Sequence, residues 1–126
     1  MKDGREITDN FSAENEWITS IYSFLQNIPD HFHIQTLEET QVIRISLNDL
    51  EACFKDFPEM ERFGRMLISK YFLEQSERII SLQFNSAKER YQFFERASKN
   101  KIARVPLGML ASHLGMTQET LSRVRS

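Results

Sequence analysis

The residues best suited to chemistry lie near the end of the chain, in the run from Leu107 to Ser126. On a helix in this run, four polar residues point away from the apolar positions: Gln118, Glu119, Ser122 and Arg123. An Arg side chain can donate to both acceptors of guanine, and a Glu side chain can accept from the amino group of cytosine. A Gln side chain can reach adenine or a phosphate. These residue types therefore favour contacts with the base edges of duplex DNA.

Two short helices joined by a tight turn are predicted to present these side chains. A helix-turn-helix needs a small residue where the helices cross, which is Ala111. It also needs a residue that tolerates positive φ in the turn, which is Gly115, and a cap on the second helix, which is Thr117. Apolar residues occur at the inward positions: Leu110, Leu114, Met116, Leu121 and Val124. The sequence predicts a helix-turn-helix here, with a simple helical hairpin as the alternative.

The charge distribution also favours a polyanionic partner. Residues 1–60 carry 4 Lys/Arg against 12 Asp/Glu, whereas residues 61–126 carry 12 Lys/Arg against 6 Asp/Glu. A basic half can attract nucleic acid, although helix surfaces are often rich in Lys and Arg without any such role. Lys101, Arg104 and Arg125 are expected near phosphates. The predicted DNA-binding residues are Thr117, Gln118, Glu119, Ser122, Arg123 and Arg125.

A long amphipathic helix is predicted over residues 58–84, before the DNA-binding segment at 85–126. Pro58 suits its first turn, and Ser86 with Glu89 forms the S-x-x-E pattern that opens the following helix. Apolar residues recur along the long helix at three- and four-residue steps in two adjacent stripes. If one stripe packs within the chain, the other requires a partner helix. The predicted dimerisation residues are Phe63, Gly64, Leu67, Ile68, Tyr71 and Phe72, unless both stripes pack within one chain.

The first part of the chain has strand character. Between His33 and Ser46, two short runs rich in β-branched residues flank the polar turn Glu38-Glu39-Thr40, and Ser46 opens a short helix. This pattern predicts a β-hairpin at the end of a sheet. Residues 1–57 are therefore expected to form strands followed by a short helix, which makes the predicted fold class α+β.

The chain resembles the Crp/Fnr family of bacterial transcription regulators, most closely the branch common in Bacteroidetes-type bacteria. The resemblance covers nearly the whole chain and rests on R-F-G-R-M-L in the long helix, S-A-K-E-R-Y, and V-P-L-G-M-L-A-S-H-L-G-M-T-Q-E-T-L-S-R-V-R. Glu119, Ser122 and Arg123 match the E-x-x-S-R pattern with which the family reads bases. Gln118 stands where some members have Arg.

The resemblance implies an effector-responsive homodimer that binds DNA and, in the full-length parent, RNA polymerase. It implies a partial β-roll (residues 1–57, related to cyclic-nucleotide-binding domains), a dimerisation helix (58–84) and a winged helix-turn-helix without its wing (85–126). The chain is thus expected to be truncated at both ends. Cyclic AMP is not expected to bind, because the segment 29–33 lacks the family's phosphate-binding Arg. The small-molecule effector is unknown.

Other function classes find little support in the sequence. There is no G-x-S-x-G elbow, glycine-rich phosphate loop or H-E-x-x-H motif, so an enzyme is not expected. His31 and His33 could share a face as metal ligands, but no third ligand is evident and no cofactor is expected. The sole cysteine, Cys53, is interpreted as a core thiol.

No signal peptide or apolar membrane span is recognised, so a cytoplasmic location is expected. The alternative function is a small-molecule-binding β-roll module whose helices only oligomerise.

Overall fold

A computed structural model describes residues 4–126, and these residues are mainly helical. The structure contains 59% helix and 1% strand, and the described residues form no sheet. Within this range the helices are α1 (Ile21–Gln26), α2 (Leu47–Asp56), α3 (Pro58–Phe84), α4 (Ala87–Ala97), α5 (Lys99–Ile102), α6 (Leu107–His113) and α7 (Gln118–Arg125). None of the helices described combines the length and apolar character that a bilayer crossing requires.

The predicted α+β fold is wrong, because the described residues contain neither a β-roll nor the hairpin expected over residues 33–46. Part of the β-roll prediction falls on residues 1–3, which lie outside the described residues. The β-branched side chains of the expected hairpin remain exposed, and Ile43 is 101% accessible. Two isolated strands are marginal in water, and strand propensity depends on neighbouring strands and burial. The described residues provide no further strand against which the expected hairpin could pack.

The helix boundaries follow local capping chemistry, and here the sequence-based predictions are confirmed. The hydroxyl groups of Ser46 and Ser86 accept hydrogen bonds from the backbone N–H groups of Asp49 and Glu89. The Glu89 carboxylate in turn accepts from the Ser86 N–H at 2.7 Å, which completes the capping box. Helix α3 begins at Pro58, where the missing N–H of proline costs no helical hydrogen bond.

The chain divides into two compact units. The first, called the C-terminal unit here, contains the described residues of Met1–Trp17 together with Glu77–Ser126, and the second, called the middle unit, contains Ile18–Ser76. Helix α3 contributes residues to both.

The C-terminal unit has a continuous hydrophobic core. Leu121 is 0% exposed and Leu110 only 1%, and α4, α6 and α7 surround them. The early segment of the chain, residues 4–17, also contributes to this core. The Phe11 ring lies 6.2 Å from the Phe94 ring in an edge-on arrangement. The remaining buried core residues are Tyr91, Ala111 and Leu114. This core fixes the helices that carry the predicted DNA-binding residues.

The middle unit packs much less tightly. Helices α2 and α3 approach each other at the buried Gly64, where an added Cβ would lie 2.6 Å from a carbon of the Phe54 ring. Most other large apolar side chains of this unit are exposed, as shown by Phe72, which is 68% accessible. The middle unit therefore leaves much of its apolar surface facing solvent.

Candidate nucleic-acid interface

The turn between α6 and α7 is tight and is closed by two main-chain hydrogen bonds. Gly115 has φ +67°, and its N–H donates to the carbonyl of Ser112 at 3.1 Å. The N–H of Met116 donates to the carbonyl of Ala111 at 3.0 Å. These two bonds form a Schellman motif, which ends a helix with a left-handed residue and is most easily occupied by glycine. The positive φ predicted at Gly115 is thus confirmed.

Helix α7 is capped and oriented as its sequence predicts. The Thr117 hydroxyl accepts from the backbone N–H of Thr120 at 3.1 Å. Leu121 lies fully inside the core and Val124 is partly buried against it. These contacts fix which face of α7 is turned inward.

The predicted base-reading residues lie on the opposite face of α7. All are exposed: Gln118, Glu119, Ser122 and Arg123. Thr117 and Arg125 are exposed as well, at the two ends of the helix. Arg123 Nη2 donates to the Thr120 hydroxyl at 3.3 Å, so this guanidinium rests along its own helix. All six predicted DNA-binding residues are thus exposed, four along α7 and two at its ends.

Two of the cations expected near phosphates form ion pairs with carboxylates from the early segment of the chain. Lys101 Nζ lies 2.7 Å from Glu16 Oε2. Arg104 donates to both oxygens of Glu14, at 2.7 and 2.9 Å. The hydrogen bond from Arg104 lowers the pKa of Glu14 to about 2. Sequence reasoning missed these pairs, although the excess of acidic residues in the first half indicated that carboxylates were available to pair with cations of the second half.

The early segment also contributes to the surroundings of His113, at the end of α6. Arg78 Nη1 lies 2.9 Å from Asp9 Oδ1, and Arg78 Nη2 donates to the backbone carbonyl of His113 at 3.3 Å. The His113 ring lies 5.3 Å from the Phe11 ring. Burial among aromatic side chains, together with the nearby Arg78 charge, lowers the pKa of His113 to about 4. His113 is therefore neutral near pH 7.

Arg90 on α4 contacts the turn itself, and sequence reasoning missed this contact too. Its Nε donates to the carbonyl of Leu114 at 2.7 Å and its Nη2 to the carbonyl of Gly115 at 3.4 Å. Its Nη1 donates to the carbonyl of Asn85 at 2.7 Å. All three acceptors are main-chain atoms, so residue types could not have indicated them.

The predicted dimerisation residues on α3 differ in their surroundings. Gly64 is buried against Phe54 of the same chain, so its small size serves an intrachain contact. Leu67 and Tyr71 are half-buried. The other three are exposed: Phe63, Ile68 and Phe72.

Candidate sites for small ligands are limited in the described part of the chain. Residues 4–126 contain no group of three His, Cys, Asp or Glu side chains placed to hold a metal ion. The middle unit has an open cavity of about 490 Å³, lined by uncharged residues from 19–29 and 45–47. Without a cation in that lining, the cavity does not suit a phosphate group, because an unpaired buried charge is costly.

Comparisons with family models, with curated proteins and with solved structures find no match to this chain. The assignment of function therefore depends on the residues and geometry of the chain itself.

Proposed function

We propose that this chain binds duplex DNA sequence-specifically, as a transcription regulator of the Crp/Fnr type, with α7 in the major groove. The observation that carries the proposal is the division of α7 into two faces. Leu121 on one face is fully buried, whereas Glu119 and Arg123 on the other face are exposed beside a tight turn. In a helix-turn-helix, the second helix inserts its exposed N-terminal residues among base edges.

The exposed side chains of α7 divide into two roles. Arg123 is proposed to donate to O6 and N7 of guanine, and Glu119 to accept from the amino group of cytosine. Gln118 reaches adenine or a phosphate, and Ser122 allows close approach of the helix to the bases. Thr117 and Arg125, at the ends of α7, lie nearer to the DNA backbone. Backbone contacts of this kind position the protein without selecting sequence.

The proposed affinity is weak and depends strongly on salt. Lys101 and Arg104, two cations expected to neutralise phosphates, are already paired with Glu16 and Glu14. DNA has to displace these carboxylates before both cations can contribute. Each phosphate contact that forms adds to the steepness with which binding falls as salt rises.

We further propose that two copies associate through the exposed apolar side chains of α3, including Phe63, Ile68 and Phe72. A dimer can present two copies of α7 to successive major grooves, about 34 Å apart. An effector that alters the pairing of the long helices would then change DNA binding. Binding to DNA requires a cytoplasmic location, and that location is part of the same proposal.

The competing possibility is a protein whose helices only oligomerise and do not bind DNA. Selection from a randomised 30-base-pair duplex pool at low salt tests it, followed by binding measurements on the enriched sequence and on random duplex. We expect an enriched inverted repeat. Substitution R123A should reduce the preference for the enriched sequence by roughly 5- to 150-fold, which corresponds to about 1–3 kcal/mol for one base contact.

The matched control is R96A, which removes an exposed Arg from α4 and changes the net charge equally. It should lower binding to both duplexes alike and leave the preference unchanged. Failure to enrich any sequence, or an R123A variant that keeps the full preference, would contradict the proposal.

A further inference from the structure

The half-buried side chain of Arg90 lies where three segments of the C-terminal unit meet. Asn85, the residue after α3, supplies one acceptor, and Leu114 and Gly115 in the turn supply two more. Arg90 itself extends from the first turns of α4. One side chain thus joins the end of α3 to the turn that precedes α7.

The chemistry of these acceptors explains why an Arg is needed. The last carbonyls of a helix lack intrahelical partners, and the Leu114 and Gly115 carbonyls follow the end of α6. A guanidinium offers five donors in a fixed planar fork, and its charge favours a helix C-terminus. The Nε and Nη1 bonds are both 2.7 Å long, which is short for N–H donors and typical of charge-assisted bonds. A Lys ammonium is a single point and cannot span the same acceptors.

A second contact holds the turn against the same part of α3. A Cβ added to Gly115 would lie 2.8 Å from Leu82 Cδ2, in the last turn of α3. The turn is therefore held both by van der Waals contact with α3 and by hydrogen bonds from Arg90. Leu82, Asn85 and Gly115 all belong to the C-terminal unit, so these contacts lie within one compact body.

We infer that Arg90 is a positioning residue, which fixes the direction of α7 relative to the end of α3. The inference rests on the proposed DNA binding, since the direction of α7 decides whether its side chains reach base edges. Arg90 lies on α4 and is not among the residues proposed to contact bases. Its three bonds transmit a displacement of residues 77–84 to the turn, and hence to α7. The core around Leu121 holds the unit together, whereas Arg90 selects the orientation.

The test compares R90M and R90K with R96M, a change at an exposed Arg of the same helix. The first measurement is amide hydrogen exchange at Gly115 and Met116 in the full chain, followed by NMR. In R90M we expect exchange at these amides to accelerate by about 10-fold or more, because the turn can open locally. R90K should fall between R90M and the parent, and R96M should match the parent.

The second measurement is the preference for the selected duplex over random duplex. A re-aimed α7 loses base contacts while the net attraction to phosphates remains, so R90K should lose roughly 10-fold in preference with little change in binding to random duplex. A merely structural role would instead weaken binding to both duplexes in parallel with the loss of folded protein. R96M should keep the preference of the parent.

The outcomes separate the inference from the proposed function. If the parent chain binds no duplex selectively, the proposed function fails, and equal exchange in R90M and R96M would independently overturn the positioning role. If the parent binds selectively and R90K keeps the full preference, the positioning role is wrong and the DNA-binding proposal stands. Loss of helical circular dichroism in both R90M and R90K, with R96M folded, would also overturn it. Arg90 would then hold the fold and not an orientation.

Discussion

The C-terminal unit and the middle unit have similar helical content but differ in burial. In the first, Leu110 and Leu121 are almost completely enclosed, whereas in the second large side chains such as Phe72 and Leu73 face solvent. Both units contain capped helices, so capping does not account for the difference. In the C-terminal unit, segments far apart in the sequence pack against each other through buried side chains, as Phe11 does against Phe94. Local patterns specify helices, and long-range contacts decide which helices acquire a core.

The difference in packing between the two units should be most evident at Leu121. Substitution L121A should reduce the free energy of unfolding by about 2–5 kcal/mol, because it removes a fully enclosed side chain and leaves a cavity. The matched change L73A, at a residue that is 61% exposed, should cost less than about 1 kcal/mol. Urea denaturation followed by circular dichroism measures both. Equal losses in the two variants would show that the units do not differ in packing.

Acidification should affect the C-terminal unit through His113. Its pKa is about 4 in the folded state and near 6.5 when exposed, so the unfolded chain binds the proton first as the pH falls. The contribution of neutral His113 to the free energy of unfolding is therefore fully present above pH 6.5. It is lost between pH 6.5 and pH 4, by up to about 3 kcal/mol.

Substitution H113F, which keeps an aromatic ring beside Phe11, should flatten the pH dependence of unfolding over this range. An H113F variant with the same slope as the parent would assign the effect to another group.

Alanine substitutions at Gly108, in the first turn of α6, and at Gly115, after its C-terminus, are expected to change stability in opposite directions. G115A places a Cβ at φ +67° and close to Leu82, and should lower the free energy of unfolding by about 1–2 kcal/mol. Gly108 lies in the first turn of α6, where an added Cβ would approach only the Gln118 side chain, at 3.8 Å. G108A should raise the free energy of unfolding by up to about 1 kcal/mol, because alanine favours helix. Thermal unfolding distinguishes the two, and a stabilising G115A would contradict the turn geometry.

The smallest expected effect concerns the carboxylates that occupy Lys101 and Arg104. The double variant E14Q/E16Q should bind random duplex several-fold more tightly at low salt, with a steeper dependence on salt, since about two more cations can reach phosphates. The control E51Q/E59Q changes the net charge equally on α2 and α3 of the middle unit. Anisotropy titrations at several salt concentrations measure both. An equal gain in the two variants would indicate a general charge effect and no specific release.

Prediction from sequence succeeded where the determining interactions are local. The caps at Ser86 and Thr117 and the positive φ of Gly115 depend on residues within a turn or two, so their types and spacing suffice. The bounds of the long helix, Pro58–Phe84, followed in the same way. The exposed set on α7 also followed, because a 3.6-residue period relates it to Leu121.

Prediction failed where the determining partner is remote. The β-branched residues near Val42 and Ile43 have strand propensity, but a strand requires neighbours that the described residues do not supply. The pairing of Arg104 with Glu14 spans 90 positions, and no periodic pattern connects the two. Arg90 binds main-chain carbonyls, which every residue possesses, so its partners leave no trace in the sequence.

The hydrogen bond between the Thr8 N–H and the Ser112 hydroxyl joins positions that are 104 residues apart. At a synthesis rate of about 5–20 residues per second, roughly 5–20 seconds separate the emergence of these two positions from the ribosome. Phe11 has no α6 to cover it during that interval. The growing polypeptide thus carries Phe11 without its complete set of core partners until translation of α6 is finished, which makes assembly of this core a late event in biosynthesis.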